Sequence, residues 1–285
     1  MLSASFRTEY VRPDSNRQIA QLLKSNEGFF TLCTLITKVA RVPRPRLLHL
    51  LQSYKDDSTF FRQLPVYDSP AASKGPPAAS KGRLRNATIA KEFLGNFAKG
   101  VKQYLDFGAG NLTFTYAMAN VLGVGRGGVF ATDVEQDFEK GWAEKRAEYG
   151  SAVRFEFLTK DGTIPFTQSF DLISAIMVLH HIEDVVPTIQ MLARRLKPKG
   201  ILLIKEHDCH DAQDRMLVDM EHSLYLAGNQ SYEQIPKQVI WCKRRTEWDA
   251  ELRKAGLTLV RWKWFYSDKE TIGPTRAYLA MYQKK

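Results

Sequence analysis

The stretch Tyr104-Leu105-Asp106-Phe107-Gly108-Ala109-Gly110 decides the fold. It begins as an apolar strand that ends at an acidic residue, and a turn with two glycines follows. The apolar spacing over residues 111–121 then predicts a helix. A strand, a glycine-rich turn and a helix in this order are how a doubly wound α/β domain holds a nucleotide-like cofactor.

The same alternation continues through the rest of the chain. Strands are predicted at residues 102–107, 128–132, 153–158, 170–176, 200–205, 257–265 and 275–282. Helices are predicted at residues 86–98, 111–121, 135–149, 184–196 and 246–255. Alternating strands and helices indicate parallel β-α-β units, whereas the short turn with Gly273 and Pro274 indicates an antiparallel final pair. The predicted fold is therefore a doubly wound, mostly parallel seven-stranded α/β sheet with an antiparallel C-terminal strand and a helical N-terminal extension.

Composition divides the chain into three parts. Residues 1–66 are predicted to be a basic helical region. The tract PAASKG at residues 70–75 recurs at 77–82, and we expect 67–83 to be a linker because Pro, Ala, Ser and Gly cannot bury a core. Residues 84–285 are predicted to form the cofactor domain, with an insertion around 208–246 on the acceptor side.

The positive charge is concentrated in the N-terminal third. Residues 1–105 hold 17 Lys and Arg against 7 Asp and Glu, whereas residues 106–285 hold 24 of each. Such asymmetry indicates an acidic partner, with nucleic acid, here RNA, first and a membrane surface second. A basic, solubilising extension is the alternative that the composition leaves open.

Cysteine usage and hydropathy indicate the compartment. Cys33, Cys209 and Cys242 are odd in number and lack C-x-x-C spacing, so neither a disulfide framework nor a cysteine-rich zinc site is expected. No apolar run approaches the roughly 20 residues of a membrane-spanning helix. Glu9 and Asp14 argue against an organelle-targeting segment. We expect an intracellular, cytoplasmic protein without a transmembrane segment.

Three cofactors compete for the glycine-rich turn. A nicotinamide site requires a third glycine, and Thr113 occupies that place. A P-loop requires G-x-x-x-x-G-K-[ST], which the chain lacks. S-adenosylmethionine instead needs a close backbone approach and carboxylates for its ammonium and ribose groups. Asp133 ends the second predicted strand and Asp161 follows the third, where they can reach the ribose and the adenine.

At this point residues 85–285 resemble the class I S-adenosylmethionine-dependent methyltransferases. The motifs are the Asp106 turn, the strand that ends at Asp133, Asp161-Gly162, the segment 170–181 and the turn 196–200. Lys199 replaces one of the two glycines that are usual in the last turn. The resemblance implies S-adenosylmethionine as cofactor, with a pocket formed by Asp106, Gly108, Gly110, Asp133, Asp161 and Met177.

Two polar clusters follow the fourth and fifth predicted strands. They are His180-His181-Ile182-Glu183-Asp184 and Glu206-His207-Asp208-Cys209-His210. Ligands of doubly wound folds bind beyond the carboxyl ends of the strands, so the clusters should face each other across the pocket. Candidate general bases are His181, His207 and Glu206. No metal site is expected, because the second cluster lacks the i, i+4 spacing of a helical site.

Three functions are compatible with these features. The first is methyl transfer to RNA, at a cap or a base nitrogen, with the basic N-terminal third and the group Trp241, Arg244, Arg245 and Trp248 as contacts. The alternative for that group is buried tryptophans and solvated arginines. The second function is transfer to a small molecule, with the N-terminal region as a lid. The third is a non-catalytic subunit that only binds the cofactor.

Overall fold

The computed structural model describes residues 78–134, 153–159, 161–210, 214, 218, 240–265 and 277–285. The predicted helical region 1–66, the first copy of the PAASKG tract and the predicted helix 135–149 lie outside these residues. So do most of the 208–246 insertion and the turn with Gly273 and Pro274.

The described residues form four α-helices, two 3-10 turns and seven strands. The helices are α1 Ala78–Leu94, α2 Thr113–Leu122, α3 Val185–Arg195 and α4 Arg245–Lys254. The 3-10 turns are Gly95–Ala98 and Leu179–His181. The strands are β1 Tyr104–Phe107, β2 Val129–Asp133, β3 Val153–Phe157, β4 Phe170–Ile176, β5 Leu196–His207, β6 Leu257–Trp264 and β7 Ala277–Lys284.

The seven strands form one sheet in the order β3-β2-β1-β4-β5-β7-β6. Neighbouring strands from β3 to β5 pair in parallel, and β7 runs antiparallel to both β5 and β6. The predicted sheet is thereby confirmed, including the antiparallel final pair. The strand order reverses between β1 and β4, and such a switch point opens the crevice in which ligands bind.

An apolar layer covers each face of the sheet, because successive residues of a strand point to opposite sides. Tyr104, Ala131 and Leu203 pack with residues of α1 and α2 on one face. Leu105, Ile173 and Ile204 pack with residues of α3 and α4 on the other. Because both faces of the sheet are covered, the carboxyl ends of the strands remain as the place where polar residues can form a ligand site.

Two boundaries differ from the sequence prediction. Helix α1 begins at Ala78, not at the predicted residue 86, so it includes residues 78–82 of the second copy of the tract. Alanine is the strongest helix former, and Ala78 and Ala79 are the first two residues of the helix. Strand β5 begins at Leu196, not at Gly200, because Leu196 already pairs with Phe170 before a register shift.

Candidate cofactor and acceptor site

The glycine-rich turn after β1 needs glycine at position 108. Gly108 has a φ of +74°, and a Cβ atom there would lie 2.3 Å from Cγ2 of Val178. The amides of Gly108 and Ala109 both donate to the carbonyl of Thr132, at 2.9 and 3.2 Å. The turn is therefore locked between β2 and the loop after β4.

Gly110 borders an open space at the same turn. Its φ is +51°, and a Cβ atom there would have no atom within 4 Å. Its amide donates to Oδ2 of Asp133 at 2.6 Å, and the amide of Val134 donates to Oδ1 at 2.8 Å. Burial raises the pKa of Asp133, although these two backbone hydrogen bonds act in the opposite direction. A carboxylate and an open backbone face thus adjoin at the ends of β1 and β2.

Asp106 is buried, with 2% of its surface exposed, and ties β4 to α2. Its Oδ2 atom accepts a hydrogen bond of 2.6 Å from Thr115, and its Oδ1 atom accepts one of 2.6 Å from Ser174. The hydroxyl oxygens of Tyr104 and Ser174 are 2.8 Å apart. Burial raises the pKa of Tyr104, and the charge of Asp106 raises it further. The carboxylate holds the elements around the turn in place.

Asp161 lies at the end of the turn that follows β3 and is exposed. Its Oδ1 atom accepts hydrogen bonds from the hydroxyls of Thr159 and Thr163, the second at 3.2 Å. The Thr159 hydroxyl lowers the pKa of Asp161, and so does that of Thr163. These hydrogen bonds stay within its own turn, so Asp161 as an adenine ligand remains a prediction.

Met177 directly follows β4 in a conformation that is rare for a non-glycine residue. Its φ is +60°, and its amide donates to the carbonyl of Lys205 at 2.8 Å. A left-handed non-glycine residue costs roughly 1–2 kcal/mol and is concentrated at functional sites. This bend turns the chain into the 3-10 turn Leu179–His181, which carries both histidines.

Glu206 is fully buried at the carboxyl end of β5. Its Oε1 atom accepts the amides of Val178 and Leu179, at 3.2 and 2.8 Å. Its Oε2 atom lies 2.5 Å from Nδ1 of His180, which is also fully buried. A single carboxylate therefore organises the whole bend after β4.

Three histidine rings come together beside Glu206. The ring centroids of His180 and His181 are 4.2 Å apart, and those of His180 and His207 are 5.3 Å apart. His207 is buried, whereas His181 is partly exposed. The two polar clusters thus meet as predicted. His180, which pairs with Glu206, was not among the predicted site residues, and the available signal for it was the adjacent His180-His181 pair.

Comparison with known proteins identifies the family. A family model described as a methyltransferase domain matches residues 79–261, which is more than half of the chain. The chain belongs to this methyltransferase family. The predicted class I S-adenosylmethionine-dependent enzyme is confirmed, and with it the cofactor.

A curated relative of this methyltransferase is a polyketide synthase-nonribosomal peptide synthetase from Aspergillus clavatus. It is 30% identical over an alignment of 191 residues, and the match covers 56% of this chain. The chain spans only 4% of the length of that relative.

Solved structures share the fold of the methyltransferase. An S-adenosylmethionine-dependent methyltransferase from Clostridium acetobutylicum is 13% identical with a TM-score of 0.53, and the match covers 70% of this chain and 92% of that one. N-methyltransferase NodS from Bradyrhizobium japonicum, in complex with S-adenosyl-L-homocysteine, is 18% identical with a TM-score of 0.51. That match covers 79% of this chain and 97% of NodS.

The residues at the switch point fit this cofactor. S-adenosylmethionine needs room beside a backbone turn, and a Cβ atom at Gly110 would extend into open space. It also needs acceptors for its ribose hydroxyls. The two oxygens of Asp133 each accept one backbone amide, and a carboxylate can accept about four hydrogen bonds.

Residues at both ends of the predicted insertion 208–246 contact histidines. Oδ1 of Asp208 accepts the amide of Arg245 at 2.6 Å, and its Oδ2 lies 2.9 Å from Nε2 of His210. The amide of Trp241 donates to the carbonyl of His180 at 2.6 Å. Both ends of the predicted insertion are therefore fixed beside the carboxyl ends of β4 and β5.

The predicted group of Trp241, Arg244, Arg245 and Trp248 does not form a single surface. Trp248 is fully buried in the core, and the guanidinium of Arg244 donates to the carbonyl of His210. The guanidinium of Arg245 instead lies 4.2 Å from the ring centroid of Trp262 on β6. Helical phase buries Trp248, which agrees with the alternative of buried tryptophans and solvated arginines, and Arg244 is exposed.

The described part of the chain contains neither a candidate metal cluster nor a candidate membrane-spanning helix. No three His, Cys, Asp or Glu side chains there are grouped so that they could hold a metal ion. None of the helices there is long and apolar enough to cross a membrane.

Proposed function

We propose that this methyltransferase acts on a small organic acceptor that loses a proton from carbon or oxygen as it is methylated. The observation that carries the proposal is the buried pair of His180 and Glu206 at the carboxyl ends of β4 and β5. A histidine oriented by a carboxylate is a common general base. Acceptors enter doubly wound folds at this edge of the sheet.

The nature of the acceptor follows from the need for a base. An amine or a ring nitrogen attacks with an existing lone pair, so a base adds little in the bond-forming step. A hydroxyl or an acidic C–H group must give up its proton before or during attack. A fully buried histidine–carboxylate pair is costly to build, which supports an acceptor that needs it.

Each residue of the pair has a distinct role in this proposal. Glu206 accepts the Nδ1 proton of His180 and so fixes the tautomer in which Nε2 is the basic nitrogen. Glu206 also holds the bend through the amides of Val178 and Leu179. It is a positioning residue, because both of its oxygens already accept hydrogen bonds. His181 and His207 pack beside the His180 ring and remain candidates for contact with the acceptor.

The cofactor side of the proposal uses the residues at the switch point. When bound, S-adenosylmethionine supplies an electrophilic methyl group on a sulfonium. Gly108 and Gly110 shape the turn that approaches it, and Asp133 accepts its ribose hydroxyls. Asp106 holds the elements around this turn in place through its hydrogen bond with Thr115. Met177 flanks the cofactor at the end of β4. The protein then needs to align the acceptor and exclude water.

The curated relative supports a small acceptor over RNA. Its name describes the synthesis of polyketides and peptides, and a polyketide chain carries acidic C–H groups between carbonyls. The RNA prediction depends on the positive charge of residues 1–105, most of which lie outside the described residues. RNA methylation remains the second candidate and predicts that substrate binding weakens steeply with salt.

A labelled-methyl transfer assay tests the proposal. The full chain is incubated with labelled S-adenosylmethionine and, in turn, β-dicarbonyl compounds, phenols, primary amines and RNA. We expect transfer to one of the first two classes. Glu206→Gln should lower kcat by about 100-fold and shift the pH profile, with little change in cofactor affinity. This variant keeps an oxygen that can accept the amides of Val178 and Leu179.

Two results would contradict the proposal. Transfer to amines alone, with Glu206→Gln and His180→Gln close to wild-type rates, would remove the need for a base. Transfer to RNA alone would replace the small acceptor by the second candidate. The KM for the acceptor, measured in His181→Gln and His207→Gln, shows which of these two rings contacts the acceptor. Only the loss of a contact residue should change this KM.

A further inference from the structure

The outer edge of the sheet carries exposed aromatic residues. Trp262 and Trp264 on β6 are 37% and 38% exposed, and Val260 is 40% exposed. β6 is the last strand in the sheet order, and among the described residues it pairs only with β7. A strand edge has backbone groups that can pair with a further strand.

The two faces of β6 differ in chemistry. Trp262 pairs with Ala280, and Trp264 pairs with Tyr278. Ala280 and Tyr278 both belong to the core layer on the α3 and α4 side, so the tryptophans lie on that face. Arg261 and Lys263 alternate with the tryptophans and therefore point to the α1 side. There the guanidinium carbon of Arg261 lies 5.0 Å, and Nζ of Lys263 5.5 Å, from the ring centroid of Phe93.

The tryptophans are held in a fixed arrangement. Their ring centroids are 5.3 Å apart in an edge-to-face geometry, and Arg245 covers the ring of Trp262. The register shift between Leu259 and Arg261 places Val260 outside the regular ladder. Beyond this shift the regular edge is Arg261–Trp264. It carries two cations on one face, and two aromatic rings with Arg245 on the other.

We propose that this edge binds an extended segment of a partner protein in which acidic and apolar side chains alternate. Added as a strand, such a segment would place its acidic side chains beside Arg261 and Lys263, and its apolar side chains beside Trp262 and Trp264. Opposite charges and aromatic–aliphatic pairs across neighbouring strands are both stabilising.

Other occupants fit the edge less well. A second copy of β6 would place its own Arg261 and Lys263 close to these two residues. Like charges on adjacent strands repel. A single-stranded nucleic acid could stack on Trp264 with Arg245 nearby, but Arg261 and Lys263 lie on the opposite face and could not contact its phosphates at the same time. A strand laid along the edge is the ligand that meets both faces.

Fluorescence anisotropy with synthetic peptides tests the proposal on the full chain. The probe is a labelled eight-residue peptide that alternates Glu and Val. One control peptide replaces Glu by Lys, and another has the same composition with all Glu residues before all Val residues. We expect the alternating acidic peptide to bind about tenfold more tightly than either control.

Charge reversal on the edge gives the matched variants. Lys263→Glu should weaken the acidic peptide by about tenfold and increase binding of the Lys peptide. Arg126→Glu makes the same change in net charge in the exposed turn before β2 and should leave both affinities unchanged. A gain in binding of the Lys peptide by Lys263→Glu cannot result from misfolding. Trp264→Ala should weaken the binding of both peptides.

Several results would overturn the proposal. They are equal affinity for the alternating and block peptides, equal effects of Lys263→Glu and Arg126→Glu, and the absence of peptide binding. Tight binding of oligouridylate that is lost in Trp264→Ala would identify nucleic acid as the occupant instead. Concentration-dependent dimers that Lys263→Glu disrupts would identify a second copy.

Discussion

The Nδ1 atom of His180 lies 2.5 Å from Oε2 of Glu206, and neither side chain is exposed. Glu206 belongs to β5, whereas His180 belongs to the 3-10 turn after β4. The same carboxylate accepts two backbone amides of that turn, from Val178 and Leu179. One side chain thus fixes both the path of the backbone and the orientation of an imidazole.

Replacement of Glu206 should separate its structural role from its effect on His180. Glu206→Ala leaves the amides of Val178 and Leu179 and Nδ1 of His180 without this acceptor, and we expect the free energy of unfolding to fall by about 3–5 kcal/mol. Glu206→Gln retains a carbonyl oxygen that can accept the amides, so the free energy of unfolding should fall clearly less in this variant. Urea denaturation measures both. Equal losses would mean that the amide hydrogen bonds contribute little to stability.

Two glycines of the same turn should respond differently to alanine. In Gly108→Ala the new Cβ atom collides with Val178 at a positive φ, and we expect a loss of about 2–4 kcal/mol in stability. In Gly110→Ala the Cβ atom enters open space, so strain alone costs roughly 1–2 kcal/mol. If the cofactor occupies that space, its affinity should fall sharply in Gly110→Ala. Thermal unfolding and calorimetry check the two effects, and unchanged cofactor affinity would contradict the predicted pocket.

The affinity for S-adenosylmethionine should depend on the protonation of Asp133. Burial raises the pKa of this carboxyl, so it takes up a proton at a higher pH than an ordinary aspartate, whose pKa is about 3.9. Because the ribose hydroxyls need an acceptor, affinity should decrease as the pH falls through this raised pKa. Asp133→Asn should bind about 10- to 100-fold more weakly at neutral pH and should lack this dependence. A wild-type affinity that is constant down to pH 4 would contradict this role.

Local patterns predicted the strands well, because buried parallel strands form short apolar runs that polar turns interrupt. The strand Phe170–Ile176 agrees residue by residue with its prediction. Helix α1 was predicted to start too late, since Pro, Ser and Gly near Ala78 suggested a linker. Such composition indicates low helix propensity, but tertiary packing decides where a helix begins.

The meeting of the two polar clusters was predictable from the sequence, whereas their contacts were less so. Spacing placed both polar clusters at the carboxyl ends of strands, where they meet. The residue that pairs with Glu206 depends on the left-handed bend at Met177, which the sequence does not reveal because the residue is not glycine. Similarly, Trp248 and Trp262 have the same chemistry, and only helical phase and strand position make one buried and the other exposed.

Asp171 should stabilise the fold in a pH-dependent manner. It accepts the amides of Lys102 and Gln103, at 3.0 and 2.8 Å, and Nζ of Lys197 at 2.8 Å. Burial alone would raise the pKa of Asp171, but the hydrogen bonds from Lys197 and the two amides outweigh it and lower the pKa. A lowered pKa in the folded state means that the unfolded chain binds more protons below about pH 4. The stabilisation is therefore complete at neutral pH and is lost on acidification.

We expect Asp171→Asn to reduce the free energy of unfolding by about 1–2 kcal/mol at pH 7. The range is modest because the ion pair of Asp171 and Lys197 is partly exposed and solvent screens it. The difference from wild type should shrink as the pH falls below about 4, because the carboxyl is then protonated in both states. Glu183→Gln removes the same charge at an exposed position and should change stability little. Denaturant titrations at pH 7 and pH 3 measure these values. A difference of the same size at both pH values would show that the amide replacement acts through packing and not through the charge.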